Sequence, residues 1–304
     1  MGLMPEFFNE HMVSELTVSP QIAAPLDPSY QPSILWNRAY RNGAAGHGNR
    51  KRIVLRVGGV SGEPFELETA ILAGEDSGGE ATLHYLERLT KSLLWLHGGN
   101  RVWVAGDDDV CRRLAECYSP SGARGFDCEM MGGRIFPEAF QISIDEKHEG
   151  AREQASGGAK WGRHTEGCRI GFDLGGSDRK AAAVVDGEVV FSEEIEWDPY
   201  FQSDPDYHFQ GIVDSLERVA KHLPRVDAVG GSAAGVYLEN EVRVASLFRG
   251  VSQQDFDQRV RRIFFDVMAH LGWQDRPWRV INDGEVTALA GSMAIGESSL
   301  LGLS

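Results

Sequence analysis

Asp173 stands near the end of a compact apolar run, Cys168–Leu174, and is followed at once by Gly175, Gly176 and Ser177. Glycines let the backbone approach an anion and aim N–H groups at it, and a carboxylate holds a metal ion directly or through water. Phosphate and its counter-ion are the chemistry this stretch suits. Two further loops are unusual. Gly231-Ser232-Ala233-Ala234-Gly235 offers backbone donors and a hydroxyl, and Asn282-Asp283-Gly284 sets a carboxylate beside an amide. Taken together the three suit phosphoryl transfer to a hydroxyl: Asp283 would accept the hydroxyl proton while Asn282 bonds the same substrate. A positioned base of this kind is worth on the order of 10²–10⁴-fold. Each loop alone has an ordinary reading, a Gly-Gly hairpin with a surface aspartate or an Asx turn capping the next helix. Their order in the chain favours the functional one.

The elements that must position these loops follow from periodicity. Arg169–Ile195 predicts three strands joined by two tight turns, the second at Asp186-Gly187, where both central residues need positive φ. Asp204-Pro205 opens a helix whose face carries Ile212, Leu216, Val219 and Leu223. Asp227–Gly230 is a short buried strand, and Val236–Leu247 a small extended excursion. Ser252 with Asp255 resembles a capping pair, from which a long amphipathic helix runs through Leu271. Trp278–Ile281 is the last strand and Val286–Ile295 a helix of small residues. An antiparallel meander followed by crossover units gives a mixed sheet with helices on both faces, whose parallel strands end at one edge.

Four segments are expected. Residues 1–50 read as an irregular arm, touching the rest through Phe7, Phe8, Ile34, Leu35 and Trp36. Residues 51–145 form a small α/β domain, with a helix over Ala81–Leu96, acidic residues Asp107–Asp109 capping the next helix, and a last hairpin across Phe126–Ile144. Residues 146–167 are a Gly-rich linker whose His148 and His164 are solvated, and residues 168–304 carry the loops above. With 30 Lys and Arg against 45 Asp and Glu, the net charge of −15 argues against nucleic acid or an anionic membrane as partner. No signal peptide or membrane-length apolar run is recognised. The four cysteines, Cys111, Cys117, Cys128 and Cys168, form no CxxC pair, which points to reduced thiols and a cytoplasmic location.

Asp173-Leu174-Gly175-Gly176-Ser177 with its hairpin, and Val280-Ile281-Asn282-Asp283-Gly284 continuing to Gly291, resemble the ROK family of sugar kinases and regulators. The resemblance spans about Arg169–Ser304. It implies a ribonuclease-H-like domain of the actin/Hsp70/hexokinase ATPase superfamily, and ATP with Mg²⁺ as cofactors. It further implies a phosphate motif of Asp173, Gly175, Gly176, Ser177 and Lys180, with Asp173 toward the metal. Asp283 becomes the catalytic base, with Ser232, Gly235 and Asn282 near a sugar, and a homodimer is compatible with it. Family members usually place lysine directly after the phosphate-turn hydroxyl; here Asp178 stands there and Lys180 follows. That Ser-x-x-Lys spacing is closer to acyl-CoA dehydratase activators and N-acetylglucosamine kinases. Glu285 and Gly291 stand where asparagine and glutamate are usual, and the family's zinc motif is not found. The expectation is an ATP-dependent sugar kinase, truncated before its second ATPase domain. The alternatives are a non-catalytic sugar or nucleotide sensor, an ATPase of the activator or N-acetylglucosamine kinase type, and a filament-forming ATPase.

Overall fold

The computed structural model describes residues 18, 20–46, 50–59, 63–72, 79–145 and 164–296. The chain divides into two compact units, Met1–Ser156 and Gly157–Ser304.

In the first unit, helix α1 (Ser33–Gly46) precedes strands β1 (Arg50–Gly58) and β2 (Phe65–Leu72). Then come α2 (Glu80–His97), β3 (Arg101–Ala105), α3 (Asp108–Cys117), α4 (Gly125–Met131) and β4 (Gln141–Ile144). The sheet order is β2-β1-β3-β4, antiparallel except that β4 joins β3 in parallel. Two expectations are corrected here. The arm read as irregular contains α1, because Trp36, Tyr40 and Ala44 repeat every fourth residue and bury one helical face; Phe7 and Phe8 lie outside the described residues. The hairpin expected over 126–144 is instead α4 and a parallel strand. Phe126, Cys128 and Met131 carry no period-two alternation, and α4 buries Asp127, Cys128 and Met131. Asp107 caps α3 as expected, its carboxylate accepting from the Val110 amide at 3.1 Å.

The second unit opens with the meander β5 (Cys168–Leu174), β6 (Asp178–Val185) and β7 (Glu188–Glu196), followed by α5 (Pro205–Ala220) and β8 (Ala228–Ala233). A hairpin of β9 (Val236–Leu238) and β10 (Glu241–Val244) leads through a 3₁₀ turn, Ser246–Phe248, to α6 (Gln253–Asp255). A π turn over Phe256–Val260, α7 (Ile263–His270), β11 (Trp278–Asn282) and α8 (Asp283–Ile295) complete it. The sheet order is β11-β8-β5-β6-β7, with β5, β8 and β11 parallel and β6 and β7 antiparallel to them. This is the mixed, ribonuclease-H-like arrangement expected.

Alternation along β5 sends Ile170, Phe172 and Leu174 into a core shared with Ile212 and Leu216 of α5 and Phe264 and Val267 of α7. Gly231 faces that core because a larger residue would run into the Phe172 ring. Helix α8 packs on β8 and β11 outside this cluster. The single long helix expected from Ser252 to Leu271 is interrupted: the Arg261 amide reaches back to the Phe256 carbonyl at 2.9 Å, one residue further than an α-helix allows. Ser252 does cap its start, accepting from the Asp255 amide at 3.1 Å. Among the described residues no helix is long and apolar enough to cross a membrane.

His208 of α5 is fully buried, and its Nε2 faces the carbonyls of Pro199 at 3.1 Å and Leu247 at 3.0 Å. Two carbonyl acceptors require the proton on Nε2, while Nδ1 has no hydrogen-bond partner. Burial holds its pKa below the ordinary histidine value. The unfolded chain therefore becomes imidazolium at this residue first, and stability falls as pH drops below about 6.5 toward the folded-state pKa. His208→Gln, followed by urea unfolding between about pH 7 and pH 5, is expected to lose less stability over that interval than the wild type. Parallel pH slopes in the two proteins would remove His208 from the account.

Candidate functional site

Parallel pairing sets Leu174, Ala233 and Asn282 level across β5, β8 and β11, so three loops leave the sheet at one edge. One residue earlier in each strand, Asp173, Ser232 and Ile281 are level and point to the opposite face. The Ser232 hydroxyl, 6 % exposed, donates to the Asp173 carboxylate. That bond fixes one carboxylate oxygen in place without neutralising it. Beside it an open groove of about 430 Å³ runs along the face over Gly171, Asp173, Lys180, Ala182, Ser192 and Glu194.

Gly175, Gly176 and Ser177 form the turn between β5 and β6, closed by the Gly175 amide donating to the Asp178 carbonyl at 2.9 Å. An aromatic wall backs it. The Trp197 indole donates to the Gly175 carbonyl at 2.8 Å, and the Tyr200 hydroxyl and ring edge occupy the space that a side chain at Gly176 would need. Gly176 is thus a glycine for reasons of close approach. Asp178 gathers the polar side chains of the turn: it accepts from the Ser177 hydroxyl at 2.8 Å and from Lys180 Nζ at 2.7 Å. The Lys180 ammonium, then the Ser177 hydroxyl, hold the Asp178 carboxyl below the usual carboxylate range, and Asp178 raises Lys180 in return. Ser177 and Lys180, expected to meet phosphate, are occupied within the turn.

At β11 the next helix begins directly with Asp283, three residues earlier than expected. Asn282 is its cap: its side chain accepts from the Gly284 amide at 2.8 Å and donates to the Gly235 carbonyl at 2.8 Å, and Glu285 completes a capping box. Asn282, Gly235 and the start of α8 therefore form one unit. Asp283 lies in the first turn of α8, where a carboxylate is favoured by the helix dipole. The Asn240 carboxamide extends the same join, accepting from the Val280 amide at 3.0 Å along the free edge of β11.

Tyr237 stands on β9. Burial raises the pKa of its phenol first, and the carboxylates of Asp283 and then Asp173 raise it further. Both charges are felt at one ring, which also meets Phe264 edge-on at 6.0 Å. Tyr237, Trp197 and Tyr200 were not among the residues expected from sequence. Aromatics just after a strand and after a Gly-x-x-x-Gly loop are a signal for them, but a weak one, since such residues more often fill cores. Of the histidines expected to be solvated in the linker, His164 is exposed and His148 lies outside the described residues. Among the described residues no group of three or more His, Cys, Asp or Glu could hold a metal ion.

No family model and no curated protein matches the chain. Solved structures do. A ROK hexokinase from Thermus thermophilus matches with a TM-score of 0.30 and 20 % identity, over 41 % of this chain and 37 % of that one. A glucokinase from Parabacteroides distasonis matches with a TM-score of 0.34 and 14 % identity, over 43 % and 34 %. RuvC from Thermus thermophilus, in complex with a Holliday junction substrate, matches at 0.27 and 15 %, over 46 % of this chain and 85 % of that one. The likeness is one of fold. This chain spans 37 % of that hexokinase and 34 % of that glucokinase.

Removing the Ser232 hydroxyl leaves the part-buried Asp173 carboxylate short of a donor. Ser232→Ala is expected to cost about 1–3 kcal/mol of stability, read from the urea midpoint of the full chain. An unchanged midpoint would mean that water replaces the bond at no cost.

Proposed function

We propose that the Gly157–Ser304 unit is the sugar-binding, base-bearing half of an ATP-dependent sugar kinase of ROK type. The reading rests on one observation: parallel pairing of β5, β8 and β11 brings Asp173, held by Ser232, and the start of α8, where Asp283 stands, to one edge of the sheet. In this reading Asp283 accepts the proton of the attacking sugar hydroxyl, and the α8 capping unit holds that carboxylate at a defined place. Ser232 orients Asp173, and the Gly175–Ser177 turn takes the phosphate. The chemistry of the donors fits Mg²⁺ bound in its usual manner, through one carboxylate, Asp173, with water and ligand phosphates supplying the remainder. Mg²⁺ would supply charge neutralisation of the phosphoryl group. Closure of the cleft by a second ATPase unit belongs to the same proposal, since a half site open to water turns over poorly.

A second reading is favoured by a separate observation. Asp178 already holds the Ser177 hydroxyl and the Lys180 ammonium. A turn so occupied suits a protein that senses a sugar without transferring phosphate. Calorimetry showing sugar binding, together with no ADP release by the same preparation, would select that reading.

ADP production with a panel of hexoses and N-acetylhexosamines tests the kinase. Asp283→Asn is expected to lower the rate by about 10²-fold or more while leaving sugar affinity within a few fold, because the lost group acts on the proton in the transition state. Equal rates in Asp283→Asn and wild type would sink the assignment of Asp283.

A further inference from the structure

We infer that Arg249 is the anion-binding side chain of the Gly175–Ser177 turn, set to receive a phosphoryl group of the ligand; the inference rests on the phosphate reading of that turn. Its guanidinium lies 4.0 Å above the Tyr200 ring centroid and 5.2 Å from that of Phe201. Tyr200 is the residue whose hydroxyl and ring edge press on Gly176. Gly250, the next residue, closes against the carbonyls of Tyr200 and Gln202, so backbone and side chain are both anchored to the wall of the turn.

Charge makes the position unusual. Several other arginines in this unit meet carboxylates: Arg218 with Glu193 at 2.7 Å, Arg225 with Asp227 at 2.8 Å, Arg259 with Asp204 at 3.3 Å, Arg262 with Glu241 at 3.2 Å. Among the described residues the Arg249 side chain has no carboxylate partner, in a chain with 45 acids to 30 bases, and it is exposed. The lysine of the turn meanwhile is neutralised by Asp178 at 2.7 Å. The turn's own charged side chains are then Asp173, Asp178 and the Lys180 that Asp178 holds, and the cation held on Tyr200 adds a positive charge beside them.

The chemistry of arginine suits the role. A guanidinium stacked on an aromatic ring keeps the N–H fork, which lies in its own plane, free at its edge, and that fork matches phosphate oxygens in pairs. Stacking also fixes the side chain in advance, so less rotamer freedom is lost on binding. A neutral sugar hydroxyl would draw much less from the same group, which makes the ligand part a phosphoryl group of a nucleotide or of another polyphosphate.

Calorimetry of the full chain with Mg²⁺-pyrophosphate, MgATP and adenosine tests this. Arg249→Ala is expected to weaken pyrophosphate and MgATP by about tenfold or more and to leave adenosine unchanged. Arg249→Lys should fall between, keeping charge and losing the fork, and Arg218→Ala, a change of equal charge elsewhere, should stay within about twofold. Arg249→Gln retains a planar group over Tyr200 without the charge and decides the matter should the alanine variant fail to fold. Wild-type affinity in the Arg249 variants, with the wild type binding pyrophosphate, overturns the role of Arg249 and leaves the phosphate turn standing. Equal weakening by Arg218→Ala also overturns it. Failure of the wild type to bind either phosphate ligand overturns the phosphate reading of the turn and this inference together.

Discussion

Parallel pairing of β8 between β5 and β11 is the constraint on which this edge of the sheet depends. It brings residues far apart in sequence to one level, Asp173 beside Ser232 beside Ile281, and leaves the Asp283 helix to start two residues beyond. The register is held from the other face. Phe172 needs the bare backbone of Gly231 opposite it, and a slip of one residue would turn Asp173 into the core and Phe172 out of it. A hydrophobic fit on one side of the strand thereby decides the geometry of the acids on the other.

Around this edge the protein builds rigidity from side chains that are not themselves reactive. The indole of Trp197 fastens the glycine turn, Tyr200 backs it, and the imidazole of His208 joins the segment after β7 to the 3₁₀ turn that Arg249 follows. Asn282 and Asn240 do the equivalent work on the far side, tying β11 to the hairpin that follows β8. Such hydrogen bonds from part-buried amides and buried rings to backbone are costly to break without replacement, so the loops inherit order from the sheet. Charge near the edge is mostly negative, with Lys180 held by Asp178. That balance leaves the accommodation of phosphate to backbone, metal and the cation held on Tyr200.

Much of the second unit was legible because its signals are local. Asp186-Gly187 announces a hairpin, Asp204-Pro205 a helix start, and alternation along Cys168–Leu174 a strand with one buried face; all three are present. The failures have local causes too. Ser252–Leu271 carries an unbroken apolar period, yet the chain inserts a π turn at Phe256–Val260, an irregularity of one hydrogen bond that no composition rule marks. The first unit misled more often: the Gly- and Asn-rich arm hides the Trp36–Tyr40–Ala44 face of α1, and the glycines after Met131 suggested a hairpin where β4 joins β3 in parallel.

Sequence by itself determined the order of strands and helices in the second unit and nominated Asp173, Ser232, Asn282 and Asp283, since residue types, turn dipeptides and apolar periods act over a few neighbours. Tertiary structure alone decided how those groups are engaged. It gave Ser232 to Asp173, Asn282 to Gly235 and the start of α8, and Lys180 to Asp178. The physical reason is that a hydrogen bond or a field across strands depends on register and distance between residues scores of positions apart, and no local pattern encodes these.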